Sequence, residues 1–309
     1  VSFAGFDWLM TLDPHWYSTM FGVYIFSGSF LSAVTFIIIL SLYLRNEGIL
    51  VNEINVFAKH DIRILGRSIS VIADMLTLLA TYMIGRRLSG RIAGICAMSF
   101  LAVSVISIQN SHFYTVDSLA TLFITGTIFY SLEFSESGKT RHLILAGVMI
   151  GLALGSKIST LPIIFSPLAA VYVLLIRNKA QGIKLTVKEQ MYPLLYCAIC
   201  TVLVLITTQP YMILDWAKYK ADILEQAEIV WRIRDYPYTR QYIETTPYLY
   251  QTVQLIKWGL GIPLGLFVII GLVAQLIGKL KIKSMVIYTF IGIFLSSMLC
   301  VSVPYPYGQ

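Results

Sequence analysis

Nine apolar runs punctuate this chain, near 18–43, 68–85, 92–109, 117–134, 143–157, 160–176, 191–208, 258–278 and 284–303. Crossing the hydrocarbon of a bilayer takes about 20 such residues in a helix. Most of the runs approach that length and the shorter ones fall a turn or so below it. Of 309 residues, 57% are hydrophobic and only 13% charged, against roughly 45–50% and 25% in soluble domains. That balance excludes a water-soluble globular enzyme, a disordered tail, a collagen and a disulfide-rich secreted module. The fold class it predicts is all-α: a polytopic integral membrane bundle of about nine transmembrane helices.

The short loops between the runs carry charge on alternate sides. One set holds Arg86, Arg87, Arg91, Lys139, Arg141, Arg177, Lys179, Lys184, Lys188, Lys279, Lys281 and Lys283; the opposite set holds only Lys157. Twelve basic residues against one is a positive-inside signature. It places the first set in the cytoplasm, the N-terminus inside, and the odd-numbered spans running outward. The net charge of +7 is therefore a matter of topology and does not point to nucleic acid. Val1 in place of a starting Met, with no leader sequence before the body, is expected of a piece of a longer chain.

Two outer segments are longer, 44–67 and 209–257. In the second, Trp216, Tyr219, Ile223, Ala227, Val230 and Trp231 recur at three- and four-residue steps. This spacing predicts an amphipathic helix, either lying on the outer leaflet or packed on the bundle. Pro237 and Pro247 bracket an extended stretch that leads into the eighth span.

Several residues stand out as polar groups in or beside apolar runs. Asp74 sits inside the second span, where a carboxylate is costly unless paired or hydrated. Asp117 opens the fourth span behind His112 and Tyr114, placed to cap the helix or to hold a substrate hydroxyl or metal. Lys157 breaks the charge rule at the outer end of the fifth span, so it should meet a lipid phosphate or a carboxylate, or else snorkel to headgroups. Arg240, among tyrosines in "PYTRQY", suits phosphate or sugar. The glycines of "AGVMIGLALGSK", at positions 147, 151 and 155, stripe one helix face for close packing. Cys96, Cys197, Cys200 and Cys300 all lie in apolar runs, and the C-x-x-C pair Cys197 and Cys200, with no second ligand pair, reads as lipid-facing or packing thiols. No P-loop, GxGxxG, HExxH, GxSxG or C-x-x-C-H pattern is present. His15, His60, His112 and His142 are too scattered to form a metal site.

Residues from about 66 onward resemble membrane glycosyltransferases of the GT-C class, in particular the protein O-mannosyltransferase-like family of bacteria. The stretches that carry the likeness are "GRSISVIADMLTLLATYMIGRRLSGRIAG", "NSHFYTVDSLATLF", "LAGVMIGLALGSKISTLP", "YPYTRQYIETTPYLY" and "WGLGIPLG". The resemblance implies a multi-pass enzyme of the bacterial cytoplasmic membrane. It would take a sugar from a polyprenyl-phosphate donor and pass it to an acceptor on the outer face. In that family an acidic residue of the first outer loop, usually within an Asp-Glu pair, acts as base or holds a divalent metal. Here Glu53 and Asp61 occupy the loop without forming that pair. Asp117, Asp61 and Glu53 are then the candidates for base, and Lys157, Arg240, His112, Tyr114 and Asp74 for binding the lipid-linked donor or acceptor.

Residues 1–64 resemble something else. "VSFAGFDWLMTLDPHWYSTMFGVYIFSGSF" and "VNEINVFAKHDI" look like the polysulfide-reductase-like, quinol-oxidising membrane subunit of alternative complex III. That likeness implies a quinol or proton site at Asp7, Asp13, His15 and His60, and further membrane subunits as partners. Against it, Asp13-Pro14-His15 also reads as a helix-start turn with Trp8, Trp16 and Tyr17 as an interfacial aromatic belt. The chain thus divides at 64/65 into a quinol-subunit-like part and a transferase-like bundle. The transferase is the first reading, the quinol-complex subunit the second, and a membrane scaffold the third.

Overall fold

The computed structural model describes residues 51–113, 115–183, 187–230, 233, 245, 246 and 249–277. The first and last expected spans, Cys300, and the candidates Asp7, Asp13, His15, Tyr114 and Arg240 lie outside the described residues. In chain order the helices are α1 (Val51–Ser89), α2 (Arg91–Ala102), α3 (Val105–His112), α4 (Val116–Ser137) and α5 (Thr140–Ser156). A 3-10 turn over Ile158–Ile164 leads into α6 (Phe165–Ala180), followed by α7 (Val187–Thr208), α8 (Tyr211–Leu214) and α9 (Trp216–Val230). After α10 (Leu249–Gln254) comes a π-helical stretch at Leu255–Leu260 and then α11 (Ile262–Ile277). Among the described residues there is no strand and the architecture is all-helical; the protein is a membrane protein. Among the same residues three helical stretches are long and apolar enough to cross a bilayer: Gly66–Ser89, Ile158–Ala180 and Met191–Thr208.

Three elements differ from expectation. The outer loop placed at 44–67 is helical from Val51 on, and α1 runs unbroken past residues 64 and 65. The span expected over 92–109 is bent by 58° between α2 and α3. At the bend Ser104 is extended (φ −70°, ψ 132°) and its hydroxyl bonds the Ser107 hydroxyl at 2.8 Å. A serine that finds a local side-chain partner competes with the helical ladder, and that is how such breaks arise. The apolar helix expected from 258 begins at Ile262, because the π-helical turn and Gly261 at φ +83° interrupt it.

Large apolar side chains point outward all along the bundle, among them Ile72, Met75, Tyr172, Tyr192 and Leu203. Small hydroxyls are turned inward, among them Ser70, Thr77, Thr127, Ser131, Ser135 and Ser166. This inversion of the soluble pattern is what lipid dictates, because tails solvate leucine while small residues let helices approach. Thr77, Thr127 and Ser135 return their protons to carbonyls of their own helix, on Ala73, Phe123 and Leu132. The apolar centre is built on α4, α5 and α6 by Ile128, Leu132, Phe134, Leu143, Ile150 and Leu174.

The glycine stripe does what its spacing predicts. A Cβ at Gly147 would strike the Cys197 carbonyl, at Gly151 it would lie 2.8 Å from the Thr201 carbonyl oxygen, and at Gly155 it would meet the Thr208 hydroxyl. Rising numbers meet rising numbers, so α5 and α7 run parallel. Thr201 shares its hydroxyl proton between the Gly147 and Cys197 carbonyls at 3.0 and 2.9 Å, and buried Gln209 donates to the Gly155 carbonyl.

Helix ends on one side are tied by charge. Arg87 at the end of α1 meets Glu133 at 2.7 Å and Glu136 at 3.3 Å, both near the end of α4. Gly138, left-handed at φ +66°, donates to the Phe134 carbonyl and turns α4 into α5 on that same side. The Arg87 side chain is 51% exposed, so water screens these pairs. We expect Arg87→Ala to lower stability by less than about 1 kcal/mol, measured as a small shift in thermal unfolding in nanodiscs.

Candidate functional site at Asp117 and Lys157

The ends of α4 and α5 opposite Arg87 carry a further ion pair. Thr115 is extended (φ −122°, ψ 150°) and serves as N-cap of α4, which places Asp117 in the first turn. An acidic side chain there faces the positive end of the helix dipole. On the neighbouring helix Lys157 ends α5, also extended (φ −156°, ψ 117°). Its N–H donates to the Ala153 carbonyl, and its own carbonyl accepts from the N–H and the hydroxyl of Thr160. With the Lys157 backbone clamped on both sides, the side chain crosses to α4. Its Nζ donates to Oδ1 of Asp117 at 2.8 Å. The two side chains are 37% and 29% exposed, so the pair stands at a half-open mouth. The anion that Lys157 meets is therefore a carboxylate, 40 residues away in sequence. Asp117 does not cap the helix; that position belongs to Thr115.

Two hydroxyls flank Asp117. Thr115 Oγ1 and Ser118 Oγ are buried and have no hydrogen-bond partner among the described residues. Buried polar groups nearly always find one, so these hydroxyls mark the mouth as a polar spot at the end of an apolar bundle. No motif signals them; only their place beside Asp117 could have drawn notice.

The other described candidates lie on α1 and α3. His112 ends α3, five residues before Asp117, and is exposed. A carbonyl can only accept, so its Nδ1 carries the proton that bonds the Ile108 carbonyl at 2.6 Å. Asp74 is half-buried on α1 beside buried Ser70, Ala73 and Thr77. Glu53, His60 and Asp61 lie on the N-terminal part of α1. At about 1.5 Å per residue, Asp61 is some 20 Å along the helix axis from Asp74.

Among the described residues no three of His, Cys, Asp and Glu converge. A divalent cation does not fit the pair either, because an ammonium already holds Oδ1 of the single carboxylate. Cys96, Cys197 and Cys200 are free thiols. Beyond the mouth, Asp215 accepts from the Lys218 N–H at 3.2 Å and so starts α9, the helix predicted from Trp216. Trp216 stacks on Tyr219 with centroids 6.0 Å apart. Burial pushes the Asp222 carboxyl above its usual range, partly offset by Lys218.

Residues 54–211 match the model of a family described as dolichyl-phosphate-mannose-protein mannosyltransferase. The match takes in α1 to α7, both members of the ion pair, and the stretch across 64/65. No curated protein and no solved structure matches the chain.

Proposed function

Because the chain belongs to the dolichyl-phosphate-mannose-protein mannosyltransferase family, membrane glycosyltransferases of the GT-C kind, we propose that it moves a sugar from a polyprenyl-phosphate donor to an acceptor hydroxyl at the outer face of a bacterial cytoplasmic membrane. The observation that carries this reading is the Asp117–Lys157 pair at the open end of the bundle. Such a donor presents one anionic phosphate at headgroup level with the sugar just beyond it. Lys157 offers the phosphate a cation at a partly dry rim, where a charge-assisted bond is stronger than in bulk water. The acceptor oxygen attacks the anomeric carbon. The bond from that carbon to the donor phosphate breaks, and polyprenyl phosphate leaves with the electron pair. The hydroxyl proton passes to the Asp117 carboxylate, which acts as general base. Lys157 then offsets the charge that gathers on the leaving phosphate.

In this arrangement α9 lies on the outer leaflet beside the mouth. It begins just past the end of the span at Thr208, and Trp216 and Leu224 are exposed on it. Arg240 follows in the same loop as a second cation for phosphate or sugar. The orientation is tested with single cysteines in a chain lacking its own. One placed at 112 should react with a membrane-impermeant thiol reagent added from outside, and one placed at 88 or 182 should not. Labelling at 88 or 182 from outside would invert the topology and remove the outer-face reaction.

Lys157→Ala should weaken the donor interaction. A hydrogen bond to a charged group contributes about 1.5–3 kcal/mol, so KM for the donor should rise roughly 10- to 100-fold. An unchanged donor KM would take Lys157 out of the site.

A further inference from the structure

We propose that Lys157 is a latch on Asp117 which the donor's phosphate opens, so that donor binds before acceptor. The inference rests on the donor reading above and concerns how that same site is regulated. In the structure the carboxylate meant to receive the acceptor's proton is held through Oδ1 by Lys157 Nζ at 2.8 Å. An acceptor hydroxyl arriving at this state meets an oxygen already engaged by an ammonium. The pair is partly exposed, so an anion that reaches the rim can meet the same ammonium and compete with the carboxylate on equal, charge-assisted terms.

Polyprenyl phosphate has an advantage over a free anion. Its tail keeps it in the bilayer, so the phosphate is presented to the rim at a high effective concentration. Once it sits on Lys157, two anions share one ammonium and repel each other. The Lys157 backbone cannot yield, since the Ala153 carbonyl and Thr160 fix it on both sides. Asp117 is fixed in the first turn of α4. The Asp117 side chain is the part that can turn away, towards the water from which the acceptor comes. Donor binding thus uncovers the base, and an acceptor alone finds it covered.

The test uses the full chain in nanodiscs, with undecaprenyl phosphate as probe. Carboxylates are labelled with a water-soluble carbodiimide and glycinamide, and amines with an impermeant acylating reagent, both read by peptide mass spectrometry. Adding the lipid should raise labelling of Asp117 several-fold and lower that of Lys157, with exposed Asp215 as unchanged internal control. In Lys157→Met, Asp117 should label strongly without lipid and show no further rise. If the lipid protects Lys157 while Asp117 labelling stays level or falls, the latch is wrong and the donor site stands. Weak labelling of Asp117 in Lys157→Met also overturns the latch. If neither residue responds to the lipid, the donor site and the latch fall together.

Discussion

Asp117→Asn should lower sugar transfer about 10²- to 10⁴-fold, the range a general base contributes, with little change in donor affinity. The substitution keeps the shape and the hydrogen-bonding reach of the side chain and removes only its ability to take a proton. Position 117 stays in the first turn of α4, behind the Thr115 N-cap. Lys157 loses its charged partner but keeps its clamped backbone, so the cation remains available to the donor phosphate. The expected signature is a fall in kcat with donor KM held or slightly lowered, the opposite of the Lys157→Ala pattern. Initial rates at several donor concentrations in nanodiscs separate the two. Full turnover by Asp117→Asn would make its carboxylate a helix-end charge with no catalytic part.

Gly151→Leu should disrupt the bundle itself. A Cβ at 151 lies 2.7 Å from the Val204 Cβ and 2.8 Å from the Thr201 carbonyl oxygen, so an added side chain meets backbone that cannot rotate aside. Overpacking of this kind costs roughly 1–3 kcal/mol when neighbours can shift, and here α5 and α7 must separate. Their separation would also break the Thr201 and Gln209 bonds to the Gly147 and Gly155 carbonyls. We expect a fall in Tm of several degrees or failure to assemble, measured by thermal unfolding in detergent. Gly271→Ala is the control, because a Cβ there meets nothing within 4 Å. Equal stability of the two variants would mean that α5 and α7 do not pack through the stripe.

What the sequence made legible were features set by local composition. Apolar length and the basic clusters between the runs located α4 to α7 to within a few residues. Glycine spacing identified the face on which α5 meets α7, and aromatic spacing located α9. Features that depend on a choice between partners were not legible. Asp117 and Lys157 could each be placed at the end of an apolar run. That they bind each other depends on α4 and α5 packing side by side and on the extended backbone at Lys157. The break at Ser104 turns on one hydroxyl finding Ser107 rather than a helical carbonyl, a choice that residue type leaves open. The helix over 51–65 was read as loop because its charges, among them Glu53, Lys59, Asp61 and Arg63, mark water exposure and not secondary structure. Beside those residues the resemblance changes from one family to another, whereas the family match begins at residue 54 and continues through the change.

The central claim is that this chain takes a sugar from a polyprenyl-phosphate carrier, and donor turnover tests it most directly. The chain would be reconstituted in nanodiscs with polyprenyl-phosphate mannose labelled in the sugar, the carrier type named by its family. A peptide rich in serine and threonine would be supplied as acceptor. The account predicts that label leaves the lipid and appears on peptide with the unmutated protein, and that Asp117→Asn leaves nearly all of it on the lipid. Label that stays on the lipid with the unmutated chain, for mannose and for every other polyprenyl-phosphate sugar and hydroxyl acceptor supplied, would contradict it.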